Sequence, residues 1–222
     1  MASQVVNPSP GTTPHSTGPE PTRRDLLQLI QIAGAGLFAV AAAWALTDSM
    51  NPSADVIAAG EPLDVDLTKL APGQQIVVLW RGTPIFVTNR PPPALKVLQE
   101  ASLVERLSDP NSDVHQQAPY AQNWHRSIKP EFAVLVGICT HLGCLPEYLP
   151  TPDPSTPVAN WPGGYFCPCH GSKYDLAGRV YQGVPAPYNL PVPPYHFPND
   201  RTLRIGENPT GELFDLASVV QM

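Results

Sequence analysis

The sequence predicts a mostly β domain carried on one N-terminal membrane-spanning helix. Proline accounts for 29 of the 222 residues, and because proline breaks helix interiors and central strands, a helical bundle is excluded. Short β-rich segments bounded by turn residues begin near residue 61. A long uncharged run near the N-terminus is the exception. A chain of this length has room for one domain with appendages.

The N-terminal segment divides into a tail and an anchor. Residues 1–24 are rich in Ser, Thr, Pro and Gly, and we expect them to form a disordered cytoplasmic tail. Residues 25–46 are predicted to be the anchor, because the run from Leu26 to Leu46 has no Asp, Glu, Lys or Arg. A helix of that length is about 31 Å long, which matches the hydrocarbon core of a bilayer.

Two arginines precede the anchor. Arg23 and Arg24 resemble a twin-arginine export signal, which carries proteins that are already folded. A cleaved signal with its site at Ala43-Trp44-Ala45 is the alternative, but the apolar run exceeds an ordinary signal core. The positive-inside rule places the N-terminus in the cytoplasm and the rest of the chain outside.

The remainder divides into a linker and a β domain. Residues 47–60 lack a sustained apolar period and are predicted to be a flexible hinge linker, followed by a domain over 61–222. Ile76–Trp80 and Pro84–Thr88 predict a hairpin with a three-residue turn. Pro93–Leu107 has helical apolar spacing, and 108–131 is expected to be an irregular insertion. The net charge of −6 argues against a nucleic-acid partner.

Two short boxes concentrate the chemistry, and together they contain all four cysteines. The first is Cys139-Thr140-His141-Leu142-Gly143-Cys144, and the second is Cys167-Pro168-Cys169-His170-Gly171-Ser172. Each box offers two thiols and one imidazole. Four such ligands are enough for a zinc site or a two-iron cluster, so two thiols, one in each box, are left over.

These boxes resemble those of Rieske iron–sulfur proteins, and in particular the iron–sulfur subunits of bacterial ubiquinol–cytochrome c reductase. The resemblance extends over the twin arginines, the anchor, the linker, the boxes and the segment Gly183-Val184-Pro185-Ala186-Pro187. It implies an antiparallel Rieske-type β-sandwich with a small cluster-binding subdomain over about 137–190. It also implies one Rieske-type 2Fe–2S cluster.

The resemblance assigns roles residue by residue. Cys139 and Cys167 would bind one iron, and His141 and His170 the other, while Cys144 and Cys169 would form a disulfide. Ser172 would donate a hydrogen bond to a bridging sulfide and Tyr174 one to a cysteine sulfur. Leu142 would be an apolar shield beside the histidines, although ordinary core packing is an equal alternative for it. The segment Gly183–Pro187 would be a proline loop that covers the cluster.

The resemblance also implies an activity. The chain would accept an electron and a proton from ubiquinol at an interface with cytochrome b, and pass the electron to cytochrome c1. The exposed histidine, His141 or His170, would contact the quinol, and the family favours His170. The complex would be a dimer in the bacterial inner membrane, with the Rieske domain in the periplasm.

Two alternatives from other classes stay open. One is a Rieske subunit of another exported oxidoreductase, such as arsenite oxidase, for which no quinol site is needed. The other is a structural zinc module that only holds two loops together.

Overall fold

The computed structural model describes residues 22–53, 60–151 and 160–220. The chain forms two compact units, Met1–Ser53 and Ala54–Met222. Residues 1–21 of the expected tail and 54–59 of the expected linker lie outside the described residues.

Among residues 22–53 of the first unit, the structure has one helix, α1, over Arg23–Asp48. Thr22 caps its N-terminus, since the Thr22 hydroxyl accepts from the backbone of Asp25 while the Asp25 carboxylate accepts from the Thr22 amide. At 26 residues α1 is about 39 Å long, and it is the one described helix long and apolar enough to cross a membrane. It exceeds the expected 25–46 at both ends, so the first two residues of the expected linker are helical.

The described residues of the second unit form nine short antiparallel strands in three three-stranded sheets, with the orders β1-β9-β8, β2-β3-β4 and β5-β6-β7. The strands are β1 Leu63–Asp66, β2 Gln75–Trp80, β3 Thr83–Asn89, β4 Phe132–Val136, β5 Glu147–Leu149, β6 Gly164–Phe166, β7 Lys173–Tyr174, β8 Tyr195–Asn199 and β9 Thr202–Ile205. The described helical segments are α2 Pro92–Val97, α3 Ala101–Val104 and the 3-10 turns Pro119–Ala121 and Leu216–Ser218. The mostly β, antiparallel fold predicted from the sequence is confirmed.

One buried apolar cluster joins the three sheets. Val87 on β3, Tyr165 on β6 and Leu203 on β9 all belong to it and are fully buried. Sheets that share one core in this way satisfy the requirement that each buries its apolar face against another. Cys139 and Cys167 lie in the same cluster, so the candidate site is attached directly to the core.

The hairpin between β2 and β3 differs from the expectation. Trp80 pairs with Thr83, which leaves a two-residue turn of Arg81 and Gly82 where the sequence predicted three residues. Both turn residues have positive φ, 51° and 74°. Two consecutive positive φ values match the right-handed twist of the flanking strands, which explains why the shorter turn closes the hairpin.

The helix expected over Pro93–Leu107 is divided into α2 and α3, because Glu100 is extended. Leu98 and Leu103 are both buried in a second, smaller apolar cluster with Trp161. On one continuous helix, two residues five apart lie about 140° from each other around the axis. The break rotates Leu103 back toward the side that Leu98 occupies, so packing overrides helical continuity. The irregular insertion predicted over 108–131 is confirmed, with one 3-10 turn in it.

Candidate metal centre

Three strand ends bring the two boxes together. β5 begins after the first box, β6 ends directly before Cys167, and β7 begins directly after the second box. Glu147 at the start of β5 pairs with Phe166 at the end of β6, and Phe166 pairs with Lys173 at the start of β7. Both boxes are therefore loops at one edge of the same small sheet.

The two loops close by the same backbone pattern. In the first, the amide of Gly143 donates to the carbonyl of Cys139 (3.0 Å) and the amide of Cys139 to the carbonyl of Cys144 (2.8 Å). In the second, Gly171 donates to Cys167 (2.9 Å) and Cys167 to Ser172 (2.8 Å). Both glycines have positive φ, 83° and 77°, a conformation that residues with a side chain rarely adopt.

A disulfide joins the loops. Cys144 and Cys169 are bonded to each other, while Cys139 and Cys167 are free and almost fully buried, each 1% exposed. The sulfurs of Cys144, Cys167 and Cys169 lie within 4.8 Å of one another, but a disulfide sulfur carries no thiolate to offer a metal. The donors that remain in the boxes are therefore two thiols and two imidazoles.

The two histidines lie side by side on the outside of the loops. The centroids of the His141 and His170 rings are 4.7 Å apart, and their planes are nearly perpendicular. His170 is exposed and His141 is half-buried. The free thiols are thus buried and the imidazoles lie nearer the solvent. This arrangement fits a cluster that would have one iron buried and the other near the surface.

The free thiols lie in surroundings that favour metal ligation. Burial raises the pKa of the Cys167 thiol, and the neighbouring Cys139 side chain raises it further, whereas the amides of Cys169 and His170 lower it. Amides directed at a sulfur stabilise negative charge on it. A bound cation would hold both thiols as thiolates despite their burial, so the residues present fit a metal or a 2Fe–2S cluster.

Tyr174, at the end of β7, contacts the first box through its hydroxyl. Its hydroxyl lies 3.3 Å from the sulfur of Cys139, accepts a hydrogen bond from the amide of Thr140 (3.1 Å) and lies 3.1 Å from the Thr140 hydroxyl. Thr140 is fully buried and donates its own hydroxyl hydrogen to the carbonyl of Tyr188. Thr140 was not among the residues predicted from the sequence, because nothing in its spacing distinguishes it from other loop threonines.

Ser172 and Leu142 have opposite environments. Ser172 is fully buried, and its hydroxyl accepts from the amide of Ala186 (3.1 Å), which ties the segment Gly183–Pro187 to the second box. Leu142 is 71% exposed, so the alternative of ordinary core packing is wrong for it. Three of the other histidines contact groups outside the boxes, His115, His125 and His196, and His15 lies outside the described residues.

Comparisons with known proteins agree with this geometry. The profile of the family "Rieske [2Fe-2S] domain" matches residues 67–195, and that of "Ubiquitinol-cytochrome C reductase Fe-S subunit TAT signal" matches residues 13–53. A solved structure titled "Hyperthermophilic respiratory Complex III" covers 78% of this chain and 97% of its own, at 25% identity and a TM-score of 0.43. An overlay at that TM-score carries no argument about function.

Curated relatives cover most of the chain. The protein of Allochromatium vinosum named "Ubiquinol-cytochrome c reductase iron-sulfur subunit" is 48% identical over 84% of this chain and 88% of its own length. Proteins of the same name from Bradyrhizobium diazoefficiens and Rhodospirillum rubrum are 43% and 42% identical, each over 87% of this chain and over 99% and 97% of their own lengths. The chain therefore belongs to the family of ubiquinol–cytochrome c reductase iron–sulfur subunits and carries a Rieske 2Fe–2S domain behind a twin-arginine signal and an apolar anchor helix.

Proposed function

We propose that this chain is the electron-transfer subunit of a respiratory cytochrome bc complex, a quinol–cytochrome c reductase. It takes one electron and one proton from ubiquinol and passes the electron to cytochrome c1. The observation that carries the proposal is the division of the six candidate ligands: one disulfide uses two thiols, and two buried thiols and two adjacent imidazoles remain.

In this proposal Cys139 and Cys167 hold one iron, and His141 and His170 hold the other. When bound, a cluster of this type supplies a one-electron acceptor at roughly −150 to +300 mV, because neutral imidazoles replace two anionic thiolates on one iron. A quinol is a modest reductant, so an acceptor of high potential suits it.

Buried hydroxyls favour the reduced state. The hydroxyl of Tyr174 donates toward the sulfur of Cys139, and that of Ser172 would donate to a sulfide of the bound cluster. A hydrogen bond to sulfur becomes stronger as negative charge accumulates there, so both residues raise the reduction potential. Support for the first role is the 3.3 Å contact between Tyr174 and Cys139, and support for the second is the buried position of Ser172 beside the second box.

The exposed histidine handles the proton. His170 is exposed, and with one ring nitrogen on the iron its other ring nitrogen would be free to accept the hydrogen bond of the quinol hydroxyl. The imidazole would take the proton from the quinol while the bound cluster takes the electron, and it would release the proton after the electron has passed on. Leu142, exposed beside the histidines, contacts the quinol ring and excludes water. The midpoint potential then falls as the pH rises, and a potential independent of pH would contradict this role.

The membrane topology is part of the proposal. The N-terminus lies in the cytoplasm, α1 spans the inner membrane uncleaved, and the Rieske domain lies in the periplasm against cytochrome b and cytochrome c1 of a dimeric complex. The disulfide supports the oxidising side of the membrane. In spheroplasts, added protease should digest the domain while an N-terminal tag stays protected, and N-terminal sequencing should recover residues that precede α1.

One spectrum tests the function as a whole. Membranes that contain the chain are treated with ascorbate, and electron paramagnetic resonance is recorded together with iron, sulfide and zinc analysis. We expect a Rieske-type signal and two iron atoms per chain. Zinc in place of iron would indicate the structural module, and a cluster that ascorbate cannot reduce would contradict a quinol-oxidising role. A cleaved chain without quinol-dependent reduction would favour the subunit of another exported oxidoreductase.

A further inference from the structure

Three arginines are buried against the segment 175–178, which follows the second box. Arg90, Arg126 and Arg179 are each at most 1% exposed, yet Asp175 is the one fully buried carboxylate in the described part of the chain. Arg179 uses that carboxylate, with 2.7 Å between its Nε and the Asp175 Oδ2. The other two guanidiniums have no carboxylate within hydrogen-bonding distance among the described residues.

Arg126 bonds only to neutral groups. It donates to the side-chain oxygen of Gln117 (2.8 Å) and to the carbonyls of Ala177 (3.1 Å) and Gly178 (3.4 Å), and its Nε has no hydrogen-bond partner among the described residues. Burial lowers the pKa of Arg126 to about 10, with attraction from Asp175 and then Asp109 opposing that effect. The guanidinium therefore stays protonated at neutral pH and is a buried positive charge.

Arg90 is likewise a buried cation whose hydrogen bonds go to neutral groups. It donates to the carbonyls of His125 (2.8 Å), Pro130 (2.9 Å) and Leu176 (3.2 Å) and to the Ser127 hydroxyl (2.8 Å). Burial lowers its pKa to about 10 as well, so it too is charged at neutral pH. Two buried cations thus lie together, bound to neutral oxygen atoms.

Both cations contact the segment that directly follows Tyr174. The carbonyls of Leu176, Ala177 and Gly178 receive their hydrogen bonds. Because consecutive Cα atoms are about 3.8 Å apart, the Cα of Ala177 lies no more than about 11 Å from that of Tyr174. The Tyr174 hydroxyl in turn contacts the sulfur of Cys139, so the short segment 174–178 connects both charges to a proposed ligand of the cluster.

We propose that Arg126, together with Arg90, raises the reduction potential of the 2Fe–2S cluster through its buried positive charge. A cluster gains one negative charge on reduction, and a nearby cation stabilises the reduced state over the oxidised one. Water and salt screen surface charges strongly but buried charges much less. The inference rests on the cluster position given under the proposed function.

The acidic groups around Arg126 leave this effect in place. Asp175 is already paired with Arg179. Asp109 is half-buried, and its carboxylate accepts from the amides of Asp113 and Val114 and from the Asn189 side chain. Arg90 and Arg126 therefore remain as buried positive charge that no buried carboxylate pairs.

The test compares two substitutions of Arg126 in the full chain, within its membrane complex. Arg126→Met removes the charge and Arg126→Lys keeps it, although both alter the hydrogen bonds. The midpoint potential is measured by redox titration at low and high salt, with cluster content determined by iron analysis. We expect a lower potential for Arg126→Met at both salt concentrations, and a potential close to that of the wild type for Arg126→Lys. Arg201→Met, at an exposed arginine, is the surface control.

If Arg126→Met does not assemble a cluster, a second pair of variants, at Gln117, tests the effect of the buried charge on the potential. Gln117 accepts from Arg126 and donates through its amide to the carbonyls of Ser112 and Val114. Gln117→Glu and Gln117→Met both remove that amide, but only the first places a negative charge against the guanidinium. We expect Gln117→Glu to have a lower potential than Gln117→Met.

The outcomes separate this inference from the proposed function. A wild-type chain without a Rieske signal would overturn the proposed function itself. A wild-type signal with equal potentials for Arg126→Met and Arg126→Lys, or for Gln117→Glu and Gln117→Met, would overturn only the role of the buried charge. A shift that disappears at high salt would do the same, because it would report a screened surface effect.

Discussion

The hydroxyl of Tyr174 lies 3.3 Å from the sulfur of Cys139 and accepts a hydrogen bond from the Thr140 amide at 3.1 Å. Since the amide supplies its hydrogen to the Tyr174 oxygen, the hydroxyl keeps its own hydrogen for Cys139 or for the Thr140 hydroxyl. Burial raises the pKa of Tyr174 far above its ordinary value, so the hydroxyl stays protonated at any physiological pH. Tyr174 is therefore a permanent donor beside the first box.

Tyr174→Phe should lower the midpoint potential and leave the cluster in place. If the hydrogen bond to sulfur is about 1 kcal/mol stronger in the reduced state, its loss shifts a one-electron potential by about 40 mV. Redox titration of the complex measures the shift. Tyr165→Phe is the matched control, because the Tyr165 hydroxyl is equally buried but bonds to Thr88. Equal shifts in both variants would contradict a specific bond to Cys139.

Ser172→Ala should also lower the potential, and it should loosen the loop as well. The Ser172 hydroxyl accepts from the amide of Ala186, and a buried amide left without a partner costs about 1–3 kcal/mol. The cluster should therefore bleach at a lower temperature in addition to the shift in potential. Ser172→Thr, which keeps the hydroxyl, is the control for both readouts. An unchanged midpoint potential in Ser172→Ala would refute the donor role.

Removal of the disulfide should destabilise the cluster without changing its ligands. Cys144 and Cys169 are 25 residues apart in sequence, and closing a loop of that length is worth about 3.5 kcal/mol by the chain-entropy model. The double variant Cys144→Ser/Cys169→Ser should retain the spectrum but lose visible absorbance at a lower temperature. Treatment with a reductant should lower that temperature in the wild type only. Loss of the Rieske spectrum itself would indicate that one of the two is a ligand.

His125 should make stability depend on pH in the mildly acidic range. Burial lowers its pKa from 6.5 to about 4, and repulsion from Arg90 adds to this. Between these two values the unfolded chain binds more protons than the folded one, so stability falls as the pH falls from 6.5 toward 4. His125→Asn should weaken this dependence in thermal unfolding at pH 7 and pH 5. A pH dependence of stability in His125→Asn as steep as that of the wild type would contradict the prediction. His115→Asn, at an exposed histidine, is the surface control.

The spacing of residues within the boxes was enough to indicate a metal centre, while the choice between zinc and a two-iron cluster came from the family resemblance. Two thiols and one imidazole in each of two six-residue segments limit the site to a metal centre, and the glycine near the end of each loop supplies the positive φ that both turns use. The uncharged run from Leu26 likewise determined the anchor helix. These features are local, since they depend on residues that are neighbours in sequence, and features of this kind can be predicted from the sequence.

Other features depended on which distant residues meet. Spacing alone left one thiol over in each box but did not say which one. The pairing of Cys144 with Cys169 came only from family resemblance until the fold placed the two loops at one sheet edge. The break between α2 and α3 follows from packing of Leu98 and Leu103 in one cluster. Spacing in a single segment contains no information about such contacts.

The buried arginines separate most clearly what the sequence predicts from what only the fold decides. By sequence, Arg90 and Arg126 are two of thirteen basic residues in an acidic chain, and nothing near them predicts burial. The fold encloses them because carbonyl oxygens from several loops converge on each guanidinium. The sequence determined that two cysteine–histidine boxes follow an apolar helix, which indicates a metal centre in a membrane-anchored protein. The tertiary structure decided which thiols are free and which arginines are buried, because burial and long-range contact exist only once the chain has folded.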